Sequence, residues 1–255
     1  AIAEARSWKT GWSRQNRRID VWHYGPRQGA RALLLVGGIH GKFEGNTVEL
    51  MKAYRNVFTS EAPAIPVYVL ENLNPDAFAV PPGPKGSVPM RFSSNLVDLN
   101  RNFPTPSWTR DVQYRNGEVL RNGGGQYPLS EPETRFLVQV IKDIKALHPD
   151  IHVVNYHSYV YQAGEKGTVQ PAYGAGSANL GAESLAQSMA RIYARASGLS
   201  LLPTWTAYPV PGEFLNWCGL TGVVAIDIEL SNTSSIVRLL PDGLTHLARN
   251  LAGVK

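Results

Sequence analysis

The 255-residue sequence holds one cysteine, Cys218. No intrachain disulfide can form, and no four-thiolate zinc site can be built. Long apolar runs are missing as well. Ala32 to Ile39, interrupted by two glycines, and Gly222 to Ile226 fall far short of the roughly 20 residues that span a bilayer. A soluble protein without membrane insertion is expected. Charged residues are few, 18%, against 43% hydrophobic and 9% aromatic. That balance excludes disordered, collagenous and coiled-coil chains. A chain of this length buries roughly 70–75% of its extended surface, so a full core forms without staples. No repeat and no shift of composition divides it, and one domain over residues 1–255 is expected.

Positive charge is crowded at one end. The first 31 residues carry Arg6, Lys9, Arg14, Arg17, Arg18, Arg27 and Arg31 against Glu4 and Asp20, which accounts for the whole formal net charge of +5. Such a patch suits an anionic polymer, or it is a solvated face around an early strand. No nucleic-acid motif accompanies it, so the second reading is preferred and no nucleic-acid partner is expected. The chain opens Ala1-Ile2-Ala3 without Met. Compartment is not legible, the bacterial cytoplasm being slightly favoured over the periplasm or secretion. Oligomeric state is not legible either.

Short apolar runs alternate with helical patterns. Ile19 to Tyr24, Ala32 to Gly37, Pro66 to Leu70, Ile151 to Tyr156 and Val223 to Leu230 read as strands, several apolar on both faces. Thr47 to Val57, Glu131 to Leu147, about Asn179 to Ala196, and Ile236 to Leu251 read as helices. Ser130 and Glu133 frame Pro132 as a capping box at the second helix. The alternation predicts an α/β fold: a mostly parallel mixed central sheet with helices on both faces. Ligands then sit at the carboxyl ends of the strands.

Two of those strand ends finish in histidine. Leu33 to Ile39 leads to His40, and Ile151 to Tyr156 leads to His157, while Glu44 follows His40 by four. Two imidazoles and one carboxylate with an open fourth position make the usual hydrolytic zinc site. Asp98-Leu99-Asn100-Arg101-Asn102-Phe103-Pro104 places an Arg that can clamp a carboxylate bidentately. Ile226-Asp227-Ile228-Glu229-Leu230 puts an acid at the tip of a buried strand, where it works on activated water or pairs with a cation. His23, His148, His152 and His246 have no ligand-spaced neighbour and read as structural. Gly123-Gly124-Gly125 lacks the Lys-Ser or Lys-Thr of a phosphate loop, and Ser158 lacks nucleophile-elbow glycines.

These pieces, taken in order with Gly11-Trp12-Ser13, Gly37 to Gly41, Asn74-Pro75-Asp76, Ser130 to Thr134, Tyr156 to Tyr159 and Tyr208 to Trp217, resemble the zinc carboxypeptidases of the carboxypeptidase A type. Within that family they are most similar to small bacterial forms. The resemblance implies one Zn2+ per chain held by His40, Glu44 and His157, with Asp98 orienting His40. It implies that Asn100 and Arg101 hold the terminal carboxylate of a peptide substrate, that Arg91 meets the oxyanion, and that the mobile Tyr208 closes over the substrate. Glu229 would be the general base, and Leu215 would face the C-terminal side chain, suiting an apolar end better than diaminopimelate.

The family spaces its first metal motif His-x-x-Glu, whereas here one extra residue separates His40 from Glu44 and Phe43 stands at the acid position. A two-His site, or a carboxylate recruited from elsewhere, are the alternatives. Three functions follow: a carboxypeptidase, with cell-wall (murein) and ordinary peptides both open; an N-acyl amino acid deacylase of the aspartoacylase type; or a catalytically silent peptide-binding homologue.

Overall fold

Residues 7–80, 90–159, 167–174, 179–205 and 208–231 are described by the computed structural model. The helix expected over Ile236 to Leu251, and with it His246, lies outside them. The five expected strands are all present: β2 (Arg18–Tyr24), β3 (Arg31–Val36), β4 (Val67–Leu70), β7 (Asp150–Tyr159) and β10 (Val224–Ser231). Three unexpected strands join them: β1 (Lys9–Trp12), β8 (Thr168–Pro171) and β9 (Ser200–Leu201). Together they form an eight-stranded sheet in the order β1-β2-β4-β3-β7-β10-β8-β9. A separate hairpin pairs β5 (Val112–Gln113) with β6 (Val119–Leu120).

The middle of the sheet, β4-β3-β7-β10, is parallel throughout. Its strands are apolar on both faces because helices cover both. Leu33, Leu34, Leu35 and Val36 have no exposed surface at all. α1 (Gly45–Ser60) and α4 (Leu180–Ser197) meet over one face, where Tyr54, Tyr156 and Tyr193 stack their hydroxyls in the core. His157 follows Tyr156 and points to the opposite face, beside which α5 (Phe214–Leu220) opens. α3 (Pro132–Leu147) packs against β1 and β7. A short α2 (Pro75–Ala79) follows β4, with the side chain of Asn74 accepting from the Ala77 N–H as its cap.

The capping box expected at α3 does not form. Ser130 donates to the Glu131 carboxylate instead of bonding the helix. No side chain caps the helix; Asn102 Oδ1 instead ties down its start, accepting from the Glu131 N–H (3.2 Å) and the Thr134 hydroxyl (2.7 Å). Glu133 is turned inward to accept from the Arg14 N–H (2.9 Å). Asn102 is itself held in place, its Nδ2 donating to the Gly124 and Tyr127 carbonyls and to the Ser130 hydroxyl.

Five of the seven basic residues of the N-terminal stretch are ion-paired. Lys9 meets Asp143, Arg14 meets Glu131, Arg17 meets Asp76, Arg18 meets Asp20 and Arg31 meets Asp150. Among the described residues no helix is long and apolar enough to cross a membrane.

Candidate active site and metal centre

β3 ends at Val36, and Gly37-Gly38-Ile39 turns the chain out of the sheet. Gly38 takes φ +70°, and a Cβ there would lie 2.5 Å from Asn72 Oδ1. Gly41, at φ +56°, is tighter still, with a Cβ 2.2 Å from Ala77 Cβ. That left-handed residue turns the chain back directly after His40. The 3-10 turn Gly41–Glu44 then carries Glu44 under the imidazole, while Phe43 points outward.

Three donors converge as a result. Glu44 Oε1 lies 2.7 Å from His40 Nδ1, and Glu44 Oε2 lies 3.2 Å from His157 Nδ1. All three residues are buried, and one ligand atom from each falls within 4.8 Å of the others. Burial disfavours the Glu44 anion, but His40 and His157 outweigh it and hold the carboxyl well below its ordinary range.

The far nitrogens of both rings are also engaged. His40 Nε2 lies 3.2 Å from Asp98 Oδ1 and 2.9 Å from Arg91 Nη2. One nitrogen cannot be donor and acceptor at once, so the tautomer decides which contact is the hydrogen bond. With the hydrogen on Nδ1, Arg91 donates to Nε2. With Nδ1 given to a metal, Nε2–H donates to Asp98, the usual arrangement behind a ligating histidine. Asp98 also accepts from the Tyr114 hydroxyl (2.8 Å), the Asn100 N–H (3.0 Å) and Arg91. Burial notwithstanding, Arg91 and His40 keep Asp98 far below the usual carboxylate range. Behind His157, Nε2 meets Asn155 Nδ2 at 2.8 Å and Asp227 Oδ2 at 3.5 Å. The donor set, its burial and its anchored ring orientations fit zinc.

Glu229 is the register partner of His157 on the next strand, so the two side chains share a face. Burial pushes its carboxyl up to about 7, against the pull of His157. Arg91 stacks over Phe43 and Tyr114, 5.4 Å and 5.9 Å from the ring centroids. Arg101 is buried, donates Nη1 to the Asn100 carbonyl (2.7 Å), and leaves Nε without a partner. Asn100 Oδ1 accepts from the Phe214 N–H (3.0 Å). Tyr208 is half-buried, its ring edge-on to Trp205 at 5.1 Å, and burial raises its hydroxyl pKa. Leu215 has no exposed surface and packs in the apolar core.

Three polar residues around this site carry no signal of their own in the sequence: Tyr114, Asn155 and Glu213. Each is a lone polar residue whose partner is distant in the chain. Glu213 immediately precedes α5, takes a hydrogen bond from the Tyr173 hydroxyl (2.6 Å), and is pushed up to about 7 by burial and then by Asp227.

A family model described as zinc carboxypeptidase matches residues 5–250. Murein peptide amidase A of Escherichia coli (strain K12) is 28% identical over 221 residues, covering 84% of this chain and 77% of that protein. The crystal structure of thrombin activatable fibrinolysis inhibitor superposes with a TM-score of 0.72 at 16% identity, covering 98% of this chain and 70% of that one. A succinylglutamatedesuccinylase/aspartoacylase from Rhodobacter sphaeroides superposes at 0.60 with 15% identity, covering 97% and 66%.

Proposed function

The chain belongs to the zinc carboxypeptidase family, and on that premise we propose that it is a one-domain zinc exopeptidase that removes the C-terminal residue of a peptide. The observation that carries this reading is the convergence of His40 Nδ1, Glu44 and His157 Nδ1, with Glu229 beside His157 on the next strand. Zinc held there would supply Lewis acidity to the scissile carbonyl and to the attacking water.

The chain's own residues do the rest. Glu229, held near neutrality, takes a proton from the attacking water and returns it to the leaving amine. Arg91, already a neighbour of His40, turns its guanidinium to the charge developing on the carbonyl oxygen. Arg101 and Asn100 take the substrate's terminal carboxylate, which restricts the enzyme to chain ends. Tyr208 closes over the bound residue and excludes water. The similarity to murein peptide amidase A favours a peptidoglycan-derived peptide over a general one.

The test is a panel of peptides with apolar, basic and acidic ends, plus the murein tripeptide ending in diaminopimelate, read by mass spectrometry with and without chelator. Chelator-sensitive loss of one terminal residue is expected, with C-terminally amidated controls intact. Cleavage of acetylated or succinylated amino acids alone would establish a deacylase, and peptide binding without cleavage a silent homologue.

A further inference from the structure

The β5–β6 hairpin shares no strand pairing with the eight-stranded sheet, yet it delivers one side chain to the metal centre. Tyr114 follows β5, and its backbone closes the hairpin. Its N–H donates to the Glu118 carbonyl (2.8 Å), and its carbonyl accepts from the Gly117 N–H (2.9 Å). Val112, two positions earlier, has no exposed surface, and strand alternation turns Tyr114 the same way, into the protein. There its ring packs against Phe92, with centroids 6.2 Å apart.

The Tyr114 hydroxyl ends on Asp98, whose two oxygens have different partners. Oδ1 faces His40 Nε2 (3.2 Å) and accepts from the Asn100 N–H (3.0 Å). Oδ2 accepts from Tyr114 (2.8 Å) and from Arg91 through Nε (3.3 Å) and Nη2 (3.2 Å). Asp98 has no exposed surface, and a buried carboxylate stripped of its donors is costly. Arg91 is also the group that the proposed reaction draws toward the carbonyl oxygen. Its departure leaves Tyr114 as the remaining hydrogen-bond donor to Oδ2 among the described residues. Burial and the charge of Asp98 raise the pKa of the phenol, so it stays protonated and able to donate.

The geometry points to Tyr114 as a positioning residue: its hydroxyl holds Asp98 behind His40 while Arg91 leaves for the oxyanion. The movement of Arg91 rests on the exopeptidase reading, whereas the hold on Asp98 rests on the hydrogen bonds alone. Two donors on one oxygen make either dispensable as long as the other stays. Without the hydroxyl, the resting site is intact, because Arg91 still covers Oδ2. The loss is felt when Arg91 turns away, since it is then held back by an anion that it alone satisfies. Such a defect belongs to the transition state and not to substrate binding.

The test is a double-mutant cycle on the full chain with Tyr114→Phe, which keeps the ring, and Arg91→Ala. Zinc affinity, read by competition with a chromophoric chelator, needs no turnover. Removing the hydroxyl should change the zinc dissociation constant by less than about threefold while Arg91 is present. In the Arg91→Ala background it should weaken zinc by about 10–100-fold, because Asp98 Oδ2 then has neither donor. With the panel peptide that the parent cleaves fastest, Tyr114→Phe should lower kcat about tenfold and leave KM within about twofold. A zinc effect of equal size in both backgrounds overturns the hold on Asp98. A kcat equal to the parent's, or a loss confined to KM, overturns the positioning role in the reaction. If the double variant fails to fold, the split between kcat and KM in Tyr114→Phe decides. If the parent cleaves no peptide, the exopeptidase reading falls, and the zinc cycle still decides whether Tyr114 holds Asp98.

Discussion

As the proposed base, Glu229 would owe its strength to its place. Set beside His157 near the end of β10 and pushed up to about 7 by burial, it would accept and return a proton near neutrality in the proposed reaction. Glu229→Gln keeps the shape and removes the proton acceptor. Turnover should fall about 10²–10⁴-fold while metal analysis still finds one zinc per chain; retained turnover would remove Glu229 from the mechanism. His40, His157 and Glu229 were legible in the sequence because each stands at or near the end of an apolar run, where a polar residue has no packing reason to be. Asn155, Gln170 and Glu213 were not, since a single polar residue within or beside a strand has no local signature. Only the strand register shows that Asn155 and Gln170 flank Asp227.

Elements with continuous apolar runs or strong helical spacing were readable, and short ones were not. β8 pairs with β10 through four residues, and β9 has two; such lengths carry no periodicity to read. The start of α3 was readable in position and misread in chemistry. Pro132 does open the helix, but no side chain caps it, and its start is tied instead to Asn102, which is distant in the chain.

That exchange has a pH consequence. Glu133, turned inward, has Oε2 buried without a partner, and burial raises its carboxyl from 4.5 to about 7. A carboxyl whose folded pKa lies above its unfolded value contributes stability that is fully present below the unfolded pKa. The contribution is lost as pH rises through the folded one. Glu133→Gln removes the ionisation and keeps an acceptor for the Arg14 N–H. The melting temperature of the variant relative to the parent should therefore climb between pH 5 and pH 8. A difference that stays flat over this window would mean that Glu133 is not destabilised as an anion.

At the scale of the whole molecule, charge and metal act in opposite ways. Five of the seven N-terminal cations pair with acids from the start and body of α3, from α2, from β2 and from β7. The three donors, by contrast, join segments far apart in the chain: Glu44 and His40 from the turn after β3, and His157 from β7. An ion bound by all three exists only when the sheet has formed, so its binding energy adds to folding stability. At about a hundredfold excess over the dissociation constant the gain is about 2.7 kcal/mol, or about 5–10 °C in Tm for a chain of this size. Calorimetric scans with zinc and with chelator should differ by that amount, and the rise should vanish in Glu44→Ala. An undiminished rise in that variant would show the ion held by the two imidazoles with some other carboxylate, and the turn at Gly41 would then have to be explained without a metal.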